Sequence, residues 1–503
     1  MALLVTVVFF LPLLFLLVAL LRGPWKHPSH LPPGPRPWPM VGNLVHLFIL
    51  QRQLRRPPHA VLAAVAQTHG PLVHLRLGAR TLVVASSPSA ASAVLRVSDR
   101  ELSGRYVPAT FRIPFYSDRS LAWAAQCDGR WKWLRALCKG EIFSTRSLEA
   151  LAAAREGKAR EMVEFLRGRL GEEVRVGELA FQTVFNMLGN MLFSRDVLAA
   201  GTEMEEMKGV MSRGLELGMT PNVEDLYPGV FGGLDLQGLR REARKHVEKL
   251  YGVWDGVIGE RRKEMEGGER REAKEDFLKL LVESGCDDLQ LKALFLDIFT
   301  AGTDTSATLI EWTMAELVKN PHVMIRVRDE LNQIIGSSNK NMITIRESHL
   351  THLSYLHVCI KETLRLHPPV PLLLPHRAID TCQVMDYMIP KDSIVMVNVW
   401  SIGRDPKVWK DPLRFMPERF LDCSMDYKGM DFEFVPFGAG RRICPGLPMA
   451  TRIVPLVVAS MVHGFEWSMQ NGMEPNQLNM GERLGLVLER EKPLVLIPKL
   501  STR

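Results

Sequence analysis

The sequence has few cysteines for its length, and no two of them are spaced like a ligand pair of a zinc site. Only seven occur in 503 residues, and no two are separated by two residues. The odd number and the spacing predict neither a disulfide framework nor a structural zinc site. Such cysteine usage is typical of a reducing compartment. The cysteines are Cys127, Cys138, Cys286, Cys359, Cys382, Cys423 and Cys444.

The chain also lacks any run of closely spaced Lys and Arg interleaved with aromatic residues. Its 63 Lys and Arg exceed its 56 Asp and Glu by seven, which gives the net charge of +7. This mild excess does not predict nucleic-acid binding. It suits a solvated surface, an anionic membrane surface or an acidic protein partner. Internal repeats, low-complexity tracts and flexible interdomain linkers are absent from the sequence as well, so a single large domain is expected.

A long apolar run opens the chain. Residues 2–21 are apolar except for Thr6, which reaches the ~20 residues needed to span a bilayer. A cleaved signal peptide would have a shorter apolar region, a basic segment before it and a small-residue cleavage site. Arg22, Lys26 and Arg36 instead follow the run, which predicts that the rest of the chain stays in the cytosol. The run is therefore predicted to be an uncleaved transmembrane helix.

The predicted organisation has three parts: an anchor over 1–22, a proline-rich neck over 23–39 that serves as a semi-rigid spacer, and one large domain over 40–503. In that domain, apolar residues alternate over 73–77 and return over 81–85, which predicts a β-hairpin. A charged segment at 261–276 predicts a solvated loop or a frayed helix end. Amphipathic periodicity predicts long helices over 148–170, 181–193, 239–264 and 289–319.

The most informative segment surrounds one cysteine. Residues 436–446 read Pro-Phe-Gly-Ala-Gly-Arg-Arg-Ile-Cys-Pro-Gly, and an apolar helical pattern follows. Glycines let a loop press closely against a flat ligand. A Cys444 thiolate near a helix N-terminus would be stabilised by the helix dipole and by backbone N–H groups, and Arg442 supplies a positive charge for an anionic group. The alternative is a buried structural cysteine beside a glycine-rich turn.

This segment resembles the haem-ligand loop Phe-x-x-Gly-x-Arg-x-Cys-x-Gly of the cytochrome P450 family, at Phe437, Gly440, Arg442, Cys444 and Gly446. The resemblance implies the cytochrome P450 fold, mainly α with small β-sheets and with the N-terminal transmembrane helix. It also implies haem b, whose iron takes the Cys444 thiolate as its axial ligand.

A second motif of that family interrupts the apolar helix predicted over 289–319. It reads Ala301-Gly302-Thr303-Asp304-Thr305. Glycine costs about 1 kcal/mol against alanine in a helix interior, so Gly302 is expected to open space beside the helix. By resemblance to the family's oxygen-binding helix, Asp304 and Thr305 are the catalytic residues. The alternative is a helix packed closely on a neighbour, with Thr305 bonded back to its own turn.

Two further motifs of the family supply a glutamate and two arginines. Glu362 and Arg365 are three residues apart on one predicted helix face, and Arg419 comes from Pro-Glu-Arg-Phe at 417–420. The resemblance implies that these three side chains form a buried network that braces the haem loop. Their role is structural and not catalytic.

Several residues resemble the haem-binding positions of the family. Trp131 and Arg135 match a Trp-x-x-x-Arg helix that hydrogen-bonds a haem propionate, and Arg suits this role because its planar fork pairs with carboxylates. His376 is a further propionate candidate, with Arg377 as the open alternative. The cofactor-binding residues implied in this way are Cys444, Trp131, Arg135, His376, Arg442, Phe437 and Gly438.

The resemblance implies a monooxygenase. It would use O2 and electrons from an NADPH-dependent cytochrome P450 reductase to hydroxylate a small hydrophobic metabolite at the endoplasmic reticulum membrane. The lack of a glycine-rich βαβ unit agrees with a separate reductase. Apolar segments expected to line the pocket are 105–120, 215–222, 297–301, 370–374 and 484–485.

Within the family, the sequence looks closest to two plant groups, the geraniol-type terpenoid hydroxylases and the N-methylcoclaurine-type alkaloid hydroxylases, and both stay open. A haem-thiolate isomerase or dehydratase is an alternative, although such relatives typically lose the acid–Thr pair that Asp304 and Thr305 supply here. A haem sensor without turnover is another, although it has no need of that pair.

Overall fold

The computed structural model of the chain describes residues 30–197, 202–266, 276–336, 345–485 and 487–500. Within them the fold is mainly α-helical with small β-sheets, as predicted. The predicted anchor over 1–22 lies outside the described residues.

Helices carry most of the described chain. They are α1 (Leu44–Leu54), α2 (Pro58–His69), α3 (Pro88–Ser92), α4 (Gly129–Leu137), α5 (Thr145–Ala150), α6 (Ala152–Arg167), α7 (Val176–Phe193), α8 (Thr202–Met219), α9 (Val223–Leu226), α10 (Pro228–Phe231), α11 (Leu239–Glu266), α12 (Phe277–Glu283), α13 (Asp288–Lys319), α14 (Pro321–Ile335), α15 (Glu347–Leu350), α16 (Ser354–Leu366), α17 (Val399–Ile402) and α18 (Leu447–Gly464).

The strands are short and form small sheets. They are β1 (Leu72–Leu77), β2 (Arg80–Ala85), β3 (Gly104–Arg105), β4 (Val174–Arg175), β5 (His376–Arg377), β6 (Cys382–Val384), β7 (Tyr387–Ile389), β8 (Ile394–Val397), β9 (Phe465–Met469), β10 (Glu482–Leu484), β11 (Leu488–Arg490) and β12 (Val495–Leu500). One sheet has the order β1-β2-β8-β5-β3, another β4-β12-β9, and β6-β7 and β10-β11 are hairpins.

The predicted β-hairpin and the four predicted long helices are confirmed. β1 and β2 pair antiparallel, with Leu77 opposite Arg80 at the turn. The helix predicted over 289–319 is α13, which begins after Asp287, whose side chain accepts a hydrogen bond from the Gln290 N–H. The stretch predicted over 148–170 is divided between α5 and α6.

The main hydrophobic core surrounds α13, which packs against α7 and α18. Within the part of the chain that the structure describes, α18 is the one helix long and apolar enough to cross a membrane, and 67% of its apolar window is buried inside the fold. Burial of that kind is typical of a core helix. The position of α18 matters for the site because it begins three residues after Cys444.

Two polar segments pack more closely than the sequence suggested. In the neck, Pro33 O accepts a hydrogen bond of 2.9 Å from the His74 N–H, so this part of the predicted spacer lies against β1. In the charged segment over 261–276, Arg261 and Asp276 are buried and form an ion pair of 2.6 Å. The prediction of a solvated segment is therefore wrong at both ends, because each charge has a buried partner.

Candidate active site

The cysteine loop is shaped by its neighbours in the fold. Gly440 has a φ of +66°, and a Cβ at this position would lie 2.4 Å from the Leu95 carbonyl oxygen. Only glycine fits there, for reasons of conformation and of space. The Cys444 N–H donates to Phe437 O at 3.0 Å, which closes the loop. The glycines were expected to let this loop approach a flat ligand. Gly440 lets the loop approach the backbone of Leu95.

Cys444 differs from the other cysteines in its surroundings. Burial raises the pKa of its thiol, whereas the N–H groups of Gly446 and Leu447 and the charge of Arg135 act in the opposite direction. Burial likewise raises the pKa of Cys138 to about 12, and there the main nearby charge, Asp297, raises it further. The sulfur of Cys444 is therefore held where backbone dipoles and a guanidinium favour its thiolate.

Three arginines meet beside this loop. Arg442 donates from Nε to Ser103 O and from Nη2 to Ala124 O, and Arg135 donates from Nη2 to Ile443 O at 2.5 Å. Burial, followed by the charge of Arg442, lowers the pKa of Arg105 to about 9. No Asp or Glu in the described chain forms an ion pair with any of these three guanidinium groups.

His376 joins this cluster, and Arg377 does not. His376 is buried beside Arg105 and Arg442, and burial, followed by the charge of Arg105, lowers the pKa of its imidazole to about 3. Arg377 points elsewhere, because it donates to Asp392 Oδ1 at 2.8 Å. Of the two alternatives left by the sequence, the structure brings His376 to the site.

Trp131 lies at the arginine cluster, and its role toward a haem propionate stays a prediction. Its indole N–H donates to Leu121 O at 3.0 Å, so this donor holds the loop before α4. The ring itself lies under Arg442, whose guanidinium carbon is 4.6 Å from the ring centroid. Trp131 thus contacts the arginine cluster through its face.

The arginine cluster fits the two carboxylates of a haem. Arg105 Nε and Arg442 Nη1 are buried and have no hydrogen-bond partner within the described chain. A bound anion would stabilise buried guanidinium groups that repel one another, and arginine pairs well with carboxylates. The Cys444 thiol, on which backbone N–H groups and Arg135 act against the effect of burial, lies beside the same cluster, as a haem-thiolate centre requires.

The second motif lies on α13. A Cβ on Gly302 would lie 3.1 Å from Leu188 Cδ1, so close packing of α13 on α7 explains this glycine. Thr305 Oγ1 donates to Ala301 O at 2.6 Å. Both observations match the alternative interpretation of the motif. The catalytic role of Thr305 stays a prediction.

Asp304 is the acidic residue of the motif, and the pKa of its carboxyl is unusual for an aspartate. Burial, and then the charge of Glu489, raise the pKa of its carboxyl to about 7, although Lys208 acts in the opposite direction. A carboxyl group with such a pKa exchanges protons near neutral pH, which suits a general acid.

The predicted network of Glu362, Arg365 and Arg419 is confirmed. Arg365 donates from Nε and Nη2 to the two oxygens of Glu362 at 2.7 and 2.8 Å. Arg419 Nε donates to Glu362 Oε1 at 3.0 Å. The C-terminal half of α13 also approaches the cysteine loop, because Leu309 and Phe437 line one small cavity.

Two residues from the predicted pocket segments have roles that the sequence did not indicate. Arg105 carries no motif, and only the fold shows that β3 brings it to Arg442. Asp297, expected to line the pocket, instead accepts hydrogen bonds from Tyr116 Oη and Ser120 Oγ and from two backbone N–H groups of the same loop. Burial still raises the pKa of Asp297 to about 6, although these bonds act in the opposite direction.

Comparison with known proteins agrees with this geometry. Residues 32–497 match the family profile of Cytochrome P450. (S)-N-methylcoclaurine 3'-hydroxylase isozyme 1 of Papaver somniferum is 46% identical over 475 residues, which cover 94% of this chain and 95% of that protein. A probable isozyme 2 from Coptis japonica is 47% identical, with 94% of each chain covered. Corytuberine synthase of Coptis japonica is 42% identical, with 97% of each chain covered.

Proposed function

Because the chain belongs to the cytochrome P450 family, whose haem iron is bound through a cysteine thiolate, we propose that Cys444 is the iron ligand and that the substrate is an aromatic plant alkaloid. The chain is a P450 monooxygenase of specialised metabolism, like its relatives. The observation that carries the site assignment is the thiol of Cys444 beside buried guanidinium groups that lack an anionic partner.

Four side chains would hold the haem propionates. Arg105, Arg135 and Arg442 supply the charge. His376 Nδ1 donates to Leu102 O at 2.8 Å, so its Nε2 would donate to a propionate with the ring in its imidazolium form, which the added carboxylate favours. Bound haem supplies the activation of O2 and its insertion into a C–H bond. Phe437 and Gly438 complete the loop on the thiolate side.

The chain itself supplies protons and excludes water. The Asp304 carboxyl holds a proton near neutral pH. The Thr305 hydroxyl would pass that proton on after leaving Ala301 O, because a hydroxyl can donate and accept at once. The side chains packed behind α13 are apolar, and they would help to exclude water from the site once haem and substrate are bound.

The substrate proposal follows the relatives. Two that match nearly the whole chain are named as (S)-N-methylcoclaurine 3'-hydroxylases, which favours an alkaloid over a terpenoid. Because these relatives are hydroxylases and Asp304 is present in the site, we set aside the isomerase and the sensor.

Membrane association is also part of the proposal. The apolar run over 2–21 would anchor the chain in the endoplasmic reticulum membrane, with the domain over 40–503 in the cytosol and an NADPH-dependent cytochrome P450 reductase as electron donor. Exposed apolar side chains near the neck support a membrane-facing surface, because such patches are rare on soluble proteins. They are Trp38, Met40, Phe48 and Ile49.

The experiment is reconstitution of the membrane-bound holoenzyme with an NADPH-dependent P450 reductase. We expect a thiolate-type spectrum of the reduced CO complex and NADPH-dependent hydroxylation of (S)-N-methylcoclaurine in preference to geraniol. Preferential hydroxylation of geraniol would overturn the substrate proposal, and a CO spectrum without thiolate character would overturn the assignment of Cys444.

A further inference from the structure

A buried polar cluster lies away from the site, at the base of the β10–β11 hairpin. Glu482 Oε1 accepts hydrogen bonds from Arg404 Nη2 at 2.8 Å and from His367 Nδ1 at 3.1 Å. Glu482 Oε2 accepts from Trp400 Nε1 at 2.9 Å and lies 3.5 Å from His59 Nε2. One carboxylate thus joins β10 to α2, to α17 and to the end of α16.

The cluster continues to α13 through an imidazole. His367 Nε2 lies 2.8 Å from Glu316 Oε1, so each ring nitrogen of His367 faces a carboxylate. The imidazole of His367 therefore links β10 to α13. The guanidinium of Arg404 supplies a positive charge at 2.8 Å from the Glu482 carboxylate. A hydrogen-bonded cluster of this kind holds its members in one arrangement.

The second strand of the hairpin is tied to the same helix. Trp312 of α13 stacks on His367 with ring centroids 3.8 Å apart, and its indole N–H donates to Leu488 O at 2.7 Å. The Leu488 N–H donates to Pro369 O at 2.8 Å. Polar contacts therefore fix both strands relative to α13. Glu482 makes these contacts from β10, and Trp312 of α13 makes them to β11.

The hairpin reaches the proposed active site. β11 packs against α13, and the charge of Glu489 on β11 acts on the Asp304 carboxyl. Leu484 and Leu488 are opposite one another in the register, next to Gly485. A two-stranded hairpin is at best marginally stable alone, so its contacts with the rest of the fold decide where Leu484 and Gly485 lie.

We propose that Glu482 is a positioning residue that determines substrate specificity: its four contacts set where the β10–β11 hairpin lies against α13, and hence the shape of the pocket beside Asp304. This inference rests on the proposed function, since it assumes that the substrate binds next to Asp304. It predicts that loss of the Glu482 charge alters the binding of large ligands and leaves the haem and its thiolate unchanged.

The test compares two glutamates of the same hairpin in the full-length holoenzyme. Glu482→Gln keeps the shape of the buried side chain and removes its charge. Glu491→Gln is the matched control, because Glu491 is exposed and contacts Asn479 Nδ2 at 3.2 Å. Each variant is titrated with imidazole, which is small, and with clotrimazole, which is bulky, and iron ligation by both is followed from the haem absorption.

For Glu482→Gln we expect an unchanged CO spectrum, an unchanged Kd for imidazole, and a Kd for clotrimazole raised about tenfold, the scale of one lost charge-assisted hydrogen bond. Glu491→Gln should match wild type with both ligands. With an alkaloid that the wild type hydroxylates, Glu482→Gln should raise KM more than it lowers kcat. It should also change the position of hydroxylation. An unchanged Kd for clotrimazole would overturn the proposal.

A second variant decides the matter if Glu482→Gln yields no holoenzyme. Trp400→Phe removes one donor to Glu482 Oε2 and keeps an aromatic ring next to Arg404. We expect a rise of about threefold in the Kd for clotrimazole, and wild-type binding would overturn the proposal. Azole binding requires no turnover, so a wild type that binds azoles but forms no product would contradict the proposed function alone.

Discussion

Glu362 and Arg365 face each other from adjacent turns of α16, joined by two hydrogen bonds of 2.7 and 2.8 Å, with both side chains fully buried. Arg419 adds a third hydrogen bond to the same carboxylate, and so does the Met416 N–H. Arg365 also donates to the carbonyl oxygens of Gly403 and Pro412. One buried charge pair thus fixes α16 to the segment that precedes the cysteine loop.

We expect Glu362→Ala to yield little holoenzyme. The change leaves the Arg365 guanidinium buried without its counter-charge, and removal of one partner of a buried pair typically costs about 3–5 kcal/mol. The measurement is haem content per purified protein together with the midpoint of urea unfolding.

The control for this change is Glu216→Ala. Glu216 pairs with Arg213 at the same three-residue spacing on α8, but the two side chains are 66% and 44% exposed. An exposed helical pair contributes about 0.2–0.5 kcal/mol, so this variant should retain its haem. Equal behaviour of the two variants would contradict a bracing role for Glu362.

Cys444→Ser should abolish the thiolate-type spectrum of the reduced CO complex. The N–H groups of Gly446 and Leu447 favour a thiolate at this position, and an alcohol is not deprotonated as readily as a thiol. Cys423→Ser is the control, because the Cys423 sulfur accepts a hydrogen bond from the Met425 N–H at 3.4 Å, outside the cysteine loop. A wild-type spectrum in Cys444→Ser would mean that another cysteine binds the iron.

The sequence predicted those parts of the site that depend on local motifs. Cys444 and its glycine-rich loop, and the Glu362–Arg365 pair, are encoded in short segments whose spacing alone brings the side chains together. The hairpin β1–β2 and the helix α13 follow from local periodicity in the same way.

The remaining parts depend on contacts between distant segments. Arg105 and Arg442 are 337 positions apart in the printed sequence. Arg105 falls in the segment 105–120 that was expected to line the pocket, but nothing local indicates that it joins Arg442. Gly302 is explained by Leu188 of another helix. The sequence predicts that Arg261 is a surface charge, whereas in the fold Arg261 pairs with the buried Asp276. Pairings of this kind are set by tertiary packing, which local patterns do not report.

Deletion of residues 2–22 should lower the fraction of protein in the membrane without changing its haem content. The deleted run reaches the length of a bilayer span, and none of the proposed haem-binding residues lies in it. Some association should persist, because Trp38 and Phe48 near the neck are 54% and 56% exposed. Phe48→Ser in the truncated protein should release more of it, as measured by sedimentation after a high-salt wash.

Haem loss on truncation would contradict an autonomous domain after the neck. Complete release by the deletion alone would contradict a contribution from Trp38 and Phe48.

Asp304→Asn should become more stable relative to wild type as the pH is raised from 5 to 8. Burial, and then Glu489, raise the pKa of Asp304 from 3.8 to about 7. Below about pH 3 the carboxyl is protonated in both states, so the free energy of unfolding is unaffected. As the pH rises toward 7, the unfolded chain releases the proton first, and the folded state is destabilised by up to roughly 4 kcal/mol above pH 7.

Asparagine cannot ionise, so the variant escapes this loss. The measurement is the urea midpoint of both proteins at pH 5 and pH 8. Asp288→Asn, at a half-exposed position on the same helix, should show no such growth in the difference. A difference between Asp304→Asn and wild type that does not grow with pH would mean that Asp304 is already ionised at pH 5.

Thr305→Ala should separate NADPH consumption from product formation. In the structure the Thr305 hydroxyl donates to Ala301 O, and a hydrogen bond of this type contributes about 0.5–1.5 kcal/mol net. The hydroxyl can therefore turn toward bound oxygen at little cost, whereas proton transfer by a positioned group is typically worth about 10²–10⁴-fold in rate. We expect less product and more hydrogen peroxide per NADPH, with the CO spectrum and substrate Kd unchanged.

The matched control is Thr313→Ala on the same helix. Thr313 Oγ1 donates to Leu309 O at 2.7 Å, as Thr305 does to Ala301 O, but its side chain is fully buried two turns away. If uncoupling came from the loss of a bond within the helix, both variants would release peroxide. If it comes from the position of the hydroxyl, only Thr305→Ala will do so. Tight coupling in both variants would remove Thr305 from the mechanism and leave Asp304 to deliver the proton through water.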